Sequence, residues 1–266
     1  MALRSDDHAR LFETHLNEVI PGHSIDCVIL GYHDKELKVL LLKRKGQDLW
    51  ALPGGFIKQS EDLDKAAIRI LEERTGLKSI FLQQFYTFGT KDRRSVSSKS
   101  EIAMMNNMIR QYPFKEPEKI TSFLQDRFIT TGYFALVQLN KSKPEPDFMS
   151  SHCEWQSLKS LPELVLDHSY ILQKAISHVQ TQLNYLPFGL SLLPQKFTMQ
   201  ELQNLYEVLL NRTLDRGNFQ RKMLALNILK RHEKQHTGKA HKAPYLYSFD
   251  VPRYNEKVKK GIGFSF

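Results

Sequence analysis

The stretch Leu52–Leu77, LPGGFIKQSEDLDKAAIRILEERTGL, constrains the fold of this 266-residue chain more than any other. Pro53-Gly54-Gly55 follows a short apolar run and makes a turn, a polar loop comes next, and a helix then runs to a stop at Gly76. Ser60 is placed to cap that helix, and Glu61, Asp62 and Asp64 suit the positive end of its dipole. Leu63, Ala66, Ala67, Ile70 and Leu71 recur at i, i+3, i+4, i+7 and i+8, one apolar stripe that needs a core to face.

Strand-like runs flank this stretch. Ser24–Tyr32 and Leu37–Arg44 read as strands joined by a His33-Asp34-Lys35-Glu36 turn, and Trp50-Ala51-Leu52 leads into the glycine turn. Ser79–Phe88 and Thr131–Leu139 are further strands, and Glu154-Trp155 begins a short one. Residues 5–18 make a short amphipathic helix (Leu11, Phe12, Leu16), for packing or for a dimer contact. Pro162–Leu183 carries a helical period through Leu164, Ile171, Leu172, Ala175 and Val179, with Asp167-His168 as its cap. Mixed strands between two such helices predict an α/β/α sandwich over residues 1–185.

A hinge follows at 186–196, with Pro187, Gly189 and Pro194, and the pattern then turns helical. Thr198 caps a helix to about Asn211, whose apolar face is Leu202, Leu205, Tyr206, Leu209 and Leu210. Asp215–Leu226 is a second helix, with Phe219, Met223 and Leu226 inward and Asn218, Gln220, Arg221 and Lys222 outward. A basic loop, Lys230–Ala243, leads to Pro244–Asp250, which alternates like a strand. Helix, turn, basic helix and basic hairpin describe a winged helix-turn-helix over 197–252, followed by a tail at 253–266, with duplex DNA as its partner. The alternative is a helical cap with a solvated charged face. His232, His236 and His241 lack cysteine or carboxylate partners at ligand spacing, so no metal site is expected there.

Charge divides the chain in the same place. Of 38 Lys+Arg and 29 Asp+Glu, residues 196–266 hold 14 and 6, leaving 24 against 23 for the first 195. The excess belongs to the C-terminal quarter, as for a polyanion-binding module attached to a neutral one. No run of roughly 18 apolar residues is present to span a membrane. The N-terminus has early acids and no apolar core of a secretory signal, and two isolated cysteines, Cys27 and Cys153, suit reduced thiols of a cytoplasmic protein.

The register of Gly55, Glu61, Arg69, Leu71, Glu73, Gly76 and Leu77 resembles the Nudix box, G-x5-E-x7-R-E-U-x-E-E-x-G-U with U a bulky aliphatic. Two positions depart from it: Ile70 and Arg74 stand where the family has metal-binding glutamates. Mg2+ wants several converging oxygens, and of the usual box carboxylates only Glu73 remains. Glu72 is turned about 100° away from it on the helix. Against the usual connection in that family, Gly89–Ile129 is longer by roughly 25–30 residues, the insertion falling at about 94–128; such a loop is a lid, an oligomer contact or a tolerated surface excursion.

Taken together, the degenerate box, the segment LPFGLSLLP at 186–194 and FTMQELQNLYEVLLNRTLDRGNFQRKML from Phe197 resemble the Nudix-related transcriptional regulators, the NrtR-like family. The resemblance implies a homodimeric DNA-binding regulator whose Nudix-like domain senses a metabolite, a sugar such as arabinose or an ADP-ribose-type nucleotide, with no cofactor required. Asn218, Gln220, Arg221 and Lys222 would meet the major groove, and Arg216, Lys239, His241 and Lys242 the backbone. Around the effector, Arg44, Gly54, Gly55, Phe56, Glu73, Lys91, Asp92 and Arg93 are the candidates. Lys91, Arg93 and Arg94 suit phosphate, and Asp92 and Glu73 suit sugar hydroxyls; alternatively, Arg44 and Glu73 pair with each other in the scaffold. Two other functions remain open. An active Nudix pyrophosphatase would need Mg2+ and carboxylates such as Glu72 or Glu101, and an RNA-binding scaffold would use the basic domain on RNA.

Overall fold

The computed structural model of the chain describes residues 5–46, 48–91, 93, 103, 106, 107, 109, 110, 112–139, 143–147, 149–183, 192–235 and 243–260. It divides into two compact units, one of Met1–Ile29, Val39–Ala135 and Lys143–Ala175, the other of Leu30–Lys38, Leu136–Ser142 and Ile176–Phe266.

A mixed sheet underlies the Nudix-like part. β1 (Val19–His33) and β2 (Glu36–Arg44) form a hairpin whose two tip residues, Asp34 and Lys35, have φ of 48° and 59°. Two successive left-handed residues give the turn whose twist matches its strands. The sheet runs β3 (Trp50–Ala51), β2, β1, β6 (Ile129–Gln138), β5 (Gln83–Phe88), with β4 (Gly54–Lys58) also on β1 and β7 (Ser150–Ser157) also on β2. From Ile25 to Gly31 every residue of β1 is buried. A strand with one wet face would alternate, so the sheet is covered on both faces at this part of β1. The helices are α1 (Ser5–Glu18), α2 (Leu63–Thr75), α3 (Pro117–Gln125) and α4 (His168–Gln182). α2 buries Ala66, Ala67, Ile70 and Leu71, and α4 buries Ile171, Leu172, Ala175 and Val179, the stripes their sequences predict.

Several boundaries differ from expectation, each for a local reason. The segment after Pro53-Gly54-Gly55 is not a loop but β4, pairing with β1 through Ile25↔Gly55 and Ser24↔Phe56. Asp62, not Ser60, is the N-cap residue of α2. β5 starts at Gln83 rather than Ser79, because Ser79 takes φ 57° and Phe81 is exposed. α4 starts at His168, because Glu163 and Val165 bridge instead to Trp50: Trp50 N–H donates to the Glu163 carbonyl and Val165 N–H to that of Trp50. Gly76 closes α2 as predicted, in the left-handed region at φ 68°.

The 94–128 insertion is described in part. Its α3 end packs on α1, with Glu13 Oε1 accepting from the Lys115 and Glu116 N–H groups at 2.5 and 3.0 Å. Phe123 and Phe128 close on Phe56, with ring centroids 5.1 and 5.5 Å from it. That part of the insertion covers the glycine turn.

The winged helix comprises β8 (Phe197–Thr198), α5 (Met199–Leu210), α6 (Arg216–Ala225), β9 (Leu229–Lys234), β10 (Tyr245–Phe249) and α7 (Val251–Lys260). Thr198 and Glu201 form a reciprocal capping box that starts α5. Asn211, at φ 52°, ends it, and Gln203 Nε2 reaches the Leu214 carbonyl at 2.9 Å to fix the turn before α6. Asp215 caps α6 through the Asn218 N–H at 2.8 Å. The β8-β10-β9 sheet completes the wing; residues 230–234, expected in a loop, are strand, because Lys234 and Tyr245 come into register across the hairpin. The tail is helical to Lys260 as α7.

Candidate functional site

The glycine turn is shaped by what lies beneath it. β1 places Asp26, only 6% exposed, opposite Gly54. A Cβ at Gly54 would overlap Asp26 Oδ1, and one at Gly55 would press to 3.1 Å from Ile70 Cγ1. Gly54 is therefore required by close approach, and Gly55 leaves little room beside Ile70. On the far side of Asp26, His168 Nε2 lies 3.6 Å from Oδ1. His168 Nδ1 accepts from the Leu52 N–H at 2.9 Å, so the ring proton sits on Nε2, toward the carboxylate. Burial lowers the His168 pKa despite Asp26 and Asp167, which keeps the ring neutral.

The box helix keeps the scaffold of its motif. Arg69 donates from Nε to Glu61 Oε2 (2.9 Å), from Nη2 to the Phe56 carbonyl (2.9 Å) and from Nη1 to Glu73 Oε2 (2.9 Å). Glu61 Oε1 also accepts from the Lys58 N–H at 2.8 Å. The hydrogen bond from Arg69 holds the Glu61 carboxyl below its ordinary value, against the opposing effect of burial. This clamp ties helix, loop and β4 together. The alternative pairing of Glu73 with Arg44 does not occur; Glu73 pairs with Arg69.

The two departing positions have different fates. Ile70 is 1% exposed and lies against Gly55. Arg74 forms an ion pair with Asp147, whose side chain is 5% exposed, and its Nη1 also lies 3.8 Å from Met149 Sδ. Arg44, at the end of β2, is half-buried. Burial, then the neighbouring Arg74, push its pKa down to about 10, while Asp147 and Asp26 oppose the shift.

Of the remaining effector candidates, Arg93 is committed to the scaffold: Nε and Nη2 clamp Asp167 at 2.5 and 2.7 Å, and Nη1 reaches the Phe128 carbonyl at 3.3 Å. Asp167, expected as a cap, does precede α4, its carbonyl accepting from the Ile171 N–H at 3.0 Å, but its side chain is the partner of Arg93, and Leu166 before it takes a strained φ of 51°. Phe56 is packed in the aromatic trio, and Lys91 is exposed. Asp92 and Arg94 lie outside the described residues, as does Glu101. Asp26, Asp147 and His168 were not singled out as site residues. Asp26 had a signal, a lone carboxylate in the apolar run SIDCVIL; Asp147, in a polar loop, had none.

The fit of a divalent cation can be judged from these side chains. Mg2+ needs oxygen ligands converging in a near octahedron. Position 70 offers a buried methyl group, position 74 a guanidinium already paired, and Glu73 a carboxylate held by Arg69. Among the described residues no three of His, Cys, Asp and Glu gather into a metal-binding group. The box does not fit the ion.

In the winged helix, Phe219 and Met223 anchor α6 in the core, and Arg216 and Arg221 are exposed. Arg221 lies about 200° around the helix from Phe219, at the centre of the outward face, and its Nη2 donates to Asn218 Oδ1 at 2.9 Å. Asn218, Gln220 and Lys222 are half-buried, flanking positions. Leu224, 43% exposed on the same face, is an apolar contact the sequence did not single out. On the wing, Arg231 and Lys234 stack over Tyr245 at 4.7 and 5.3 Å from its centroid, and His232 Nε2 lies 2.7 Å from Ser248 Oγ. Lys239, His241, Lys242 and His236 lie outside the described residues.

Comparisons with known proteins match this geometry. Residues 21–175 match the NUDIX domain model, and residues 189–249 that of the NrtR DNA-binding winged helix domain. The ADPR responsive transcriptional repressor NtrR of Acinetobacter baylyi is 29% identical over 243 residues, 88% of this chain and 84% of the relative. The crystal structure of Shewanella oneidensis NrtR superposes with a TM-score of 0.64 at 24% identity, over 91% of this chain and 98% of that one. The same protein complexed with a 27mer DNA gives 0.63 at 24% identity, over 87% and 95%. At that identity the solved structures establish the shared fold. The domain models establish the lineage: the chain belongs to the Nudix family, in the group whose Nudix domain is joined to an NrtR DNA-binding winged helix domain.

Proposed function

We propose that this protein is a cytoplasmic DNA-binding transcriptional regulator, acting as a homodimer, whose Nudix domain senses ADP-ribose without hydrolysing it. The observation that carries this function is the state of the box. The Glu61–Arg69 clamp that shapes a Nudix fold is intact, while Ile70 is packed under Gly55 and Arg74 is paired with Asp147. A scaffold kept without a metal site suits binding better than turnover. The outward face of α6, centred on Arg221, and the Arg231 and Lys234 wing supply cations for duplex DNA. Repression and ADP-ribose as effector are supported by the name of the Acinetobacter relative; a sugar effector has no comparable support.

Fluorescence anisotropy on the chain's own promoter region tests this. Duplex affinity is expected to fall steeply with salt and to weaken when ADP-ribose is added. An affinity indifferent to ADP-ribose, or an equal preference for structured RNA, would overturn it. Mg2+-dependent cleavage of ADP-ribose would instead restore the pyrophosphatase.

A further inference from the structure

The misfit of the box to a metal ion leaves unexplained polar atoms beside it. Arg74 Nε, Arg44 Nε and Ser150 Oγ are buried and meet no hydrogen-bond partner among the described residues. Unpaired buried donors are rare in folded proteins and call for a reason. These three lie together. Lys45 N–H donates to the Met149 carbonyl at 3.2 Å, and Ser151 Oγ to the Lys43 carbonyl at 3.4 Å, so β2 and β7 set Arg44 opposite Ser150. Asp147, whose carbonyl accepts from the Ser150 N–H at 3.2 Å, pairs with Arg74 from the same segment.

Asp147 is ion-paired to Arg74, whereas Arg44 makes no ion pair among the described residues, Asp147 and Asp26 acting on it only through space. The Arg74 charge contributes to the depression of the Arg44 pKa. A bound anion would relieve that repulsion and supply acceptors for the free N–H groups. Arg74 is 15% exposed and Arg44 half-buried, so both keep an edge toward solvent. A guanidinium fork matches the paired oxygens of a phosphate.

We infer that Arg44 and Arg74, with the Ser150 hydroxyl, form a metal-free seat for a diphosphate, in which guanidinium charge replaces the divalent cation. The diphosphate as part of ADP-ribose rests on the function proposed above; the seat itself does not. Position 74 thereby changes from a metal ligand to a direct anion ligand, and the same exchange removes hydrolysis, because no ion remains to activate water.

Isothermal titration of the full chain in EDTA, with inorganic pyrophosphate and separately with ADP-ribose, tests the seat. Pyrophosphate is expected to bind without metal, and Arg44→Gln to weaken it about tenfold or more. Arg74→Lys retains the pair with Asp147 but loses the fork, and is expected to weaken binding as well, with its folded state checked by circular dichroism. Binding of pyrophosphate only when Mg2+ is present, or variants that bind it as the native chain does, would overturn the seat. Pyrophosphate binding without ADP-ribose binding would uphold the seat and remove the proposed effector. ADP-ribose binding unchanged in both variants would do the reverse.

Discussion

Gly54 tests how tightly the site is built at the scale of one residue. A methyl group there meets Asp26 Oδ1 and lies 3.0 Å from the Ile25 carbonyl, and neither the strand nor the buried carboxylate can withdraw cheaply. Gly54→Ala is expected to cost about 1–3 kcal/mol in urea denaturation, as overpacking does; Gly55→Ala, whose nearest neighbours are Ile70 Cγ1 and Cγ2 at 3.1 and 3.3 Å, asks for a smaller shift and should cost less. A loss for Gly54→Ala no larger than that for Gly55→Ala would contradict the geometry. Ile70 poses the complementary case. Restoring the family residue with Ile70→Glu places a carboxylate where the side chain is 1% exposed and faces the Gly55 backbone. It is expected to destabilise by several kcal/mol, on the order of 3–5, as an unpaired buried charge. It should not create Mg2+-dependent cleavage of ADP-ribose, assayed by release of AMP, since Arg74 and Arg69 still oppose the ion.

At the scale of elements, caps and faces carry the winged helix. Thr198 accepts from the Glu201 N–H while Glu201 Oε2 accepts from the Thr198 N–H at 2.6 Å. Thr198→Ala removes half of that exchange and should cost about 1 kcal/mol, seen as a fall in Tm of roughly 2–4 °C if the chain melts in one transition. Arg221→Ala should weaken operator binding by about 1–3 kcal/mol with little change in Tm, because the side chain is exposed and its hydrogen bond is to the neighbouring Asn218; an unchanged anisotropy titration would remove α6 as the recognition element. These elements were legible in the sequence because their signals are local: Thr198 and Glu201 sit three apart, Gly76 follows the last turn of α2, and Phe219 and Met223 repeat at four. β4 was not legible, since Gly-Gly-Phe has turn chemistry and becomes strand only against Asp26 and Ile25 of β1. The start of α4 was missed for the same reason: Pro162–Asp167 has helical spacing, but the backbone of 163–165 bridges to Trp50. At the site, Glu61–Arg69 followed from the motif, whereas Arg93–Asp167 and Arg74–Asp147 join residues more than 70 positions apart, which no local pattern reports.

At the scale of the whole molecule, pH should act through groups that folding has made reluctant to change charge. His168 lies against Asp26, with Asp167, Arg44 and Arg93 around it, and burial keeps its folded pKa below 6.5. As pH falls below that value the unfolded chain takes up a proton that the folded chain refuses, so stability declines. His23 and His178, lowered by the same cause, act in the same direction. Glu61 adds a second, lower limb. Its folded pKa is depressed by the hydrogen bond from Arg69, so its contribution is complete above about 4.5 and is lost as pH falls through the folded value. Tm is therefore expected to hold steady at neutral pH, to decline as pH drops below about 6.5, and to decline further below about 4.5, with each group adding at most roughly 1.4 kcal/mol per pH unit. The limbs separate by substitution. His168→Gln should lower Tm at pH 7, where the Leu52 N–H loses its acceptor, yet flatten the decline below about 6.5. A decline as steep as that of the native chain would place the sensitivity on other histidines and free His168 from the role its burial gives it.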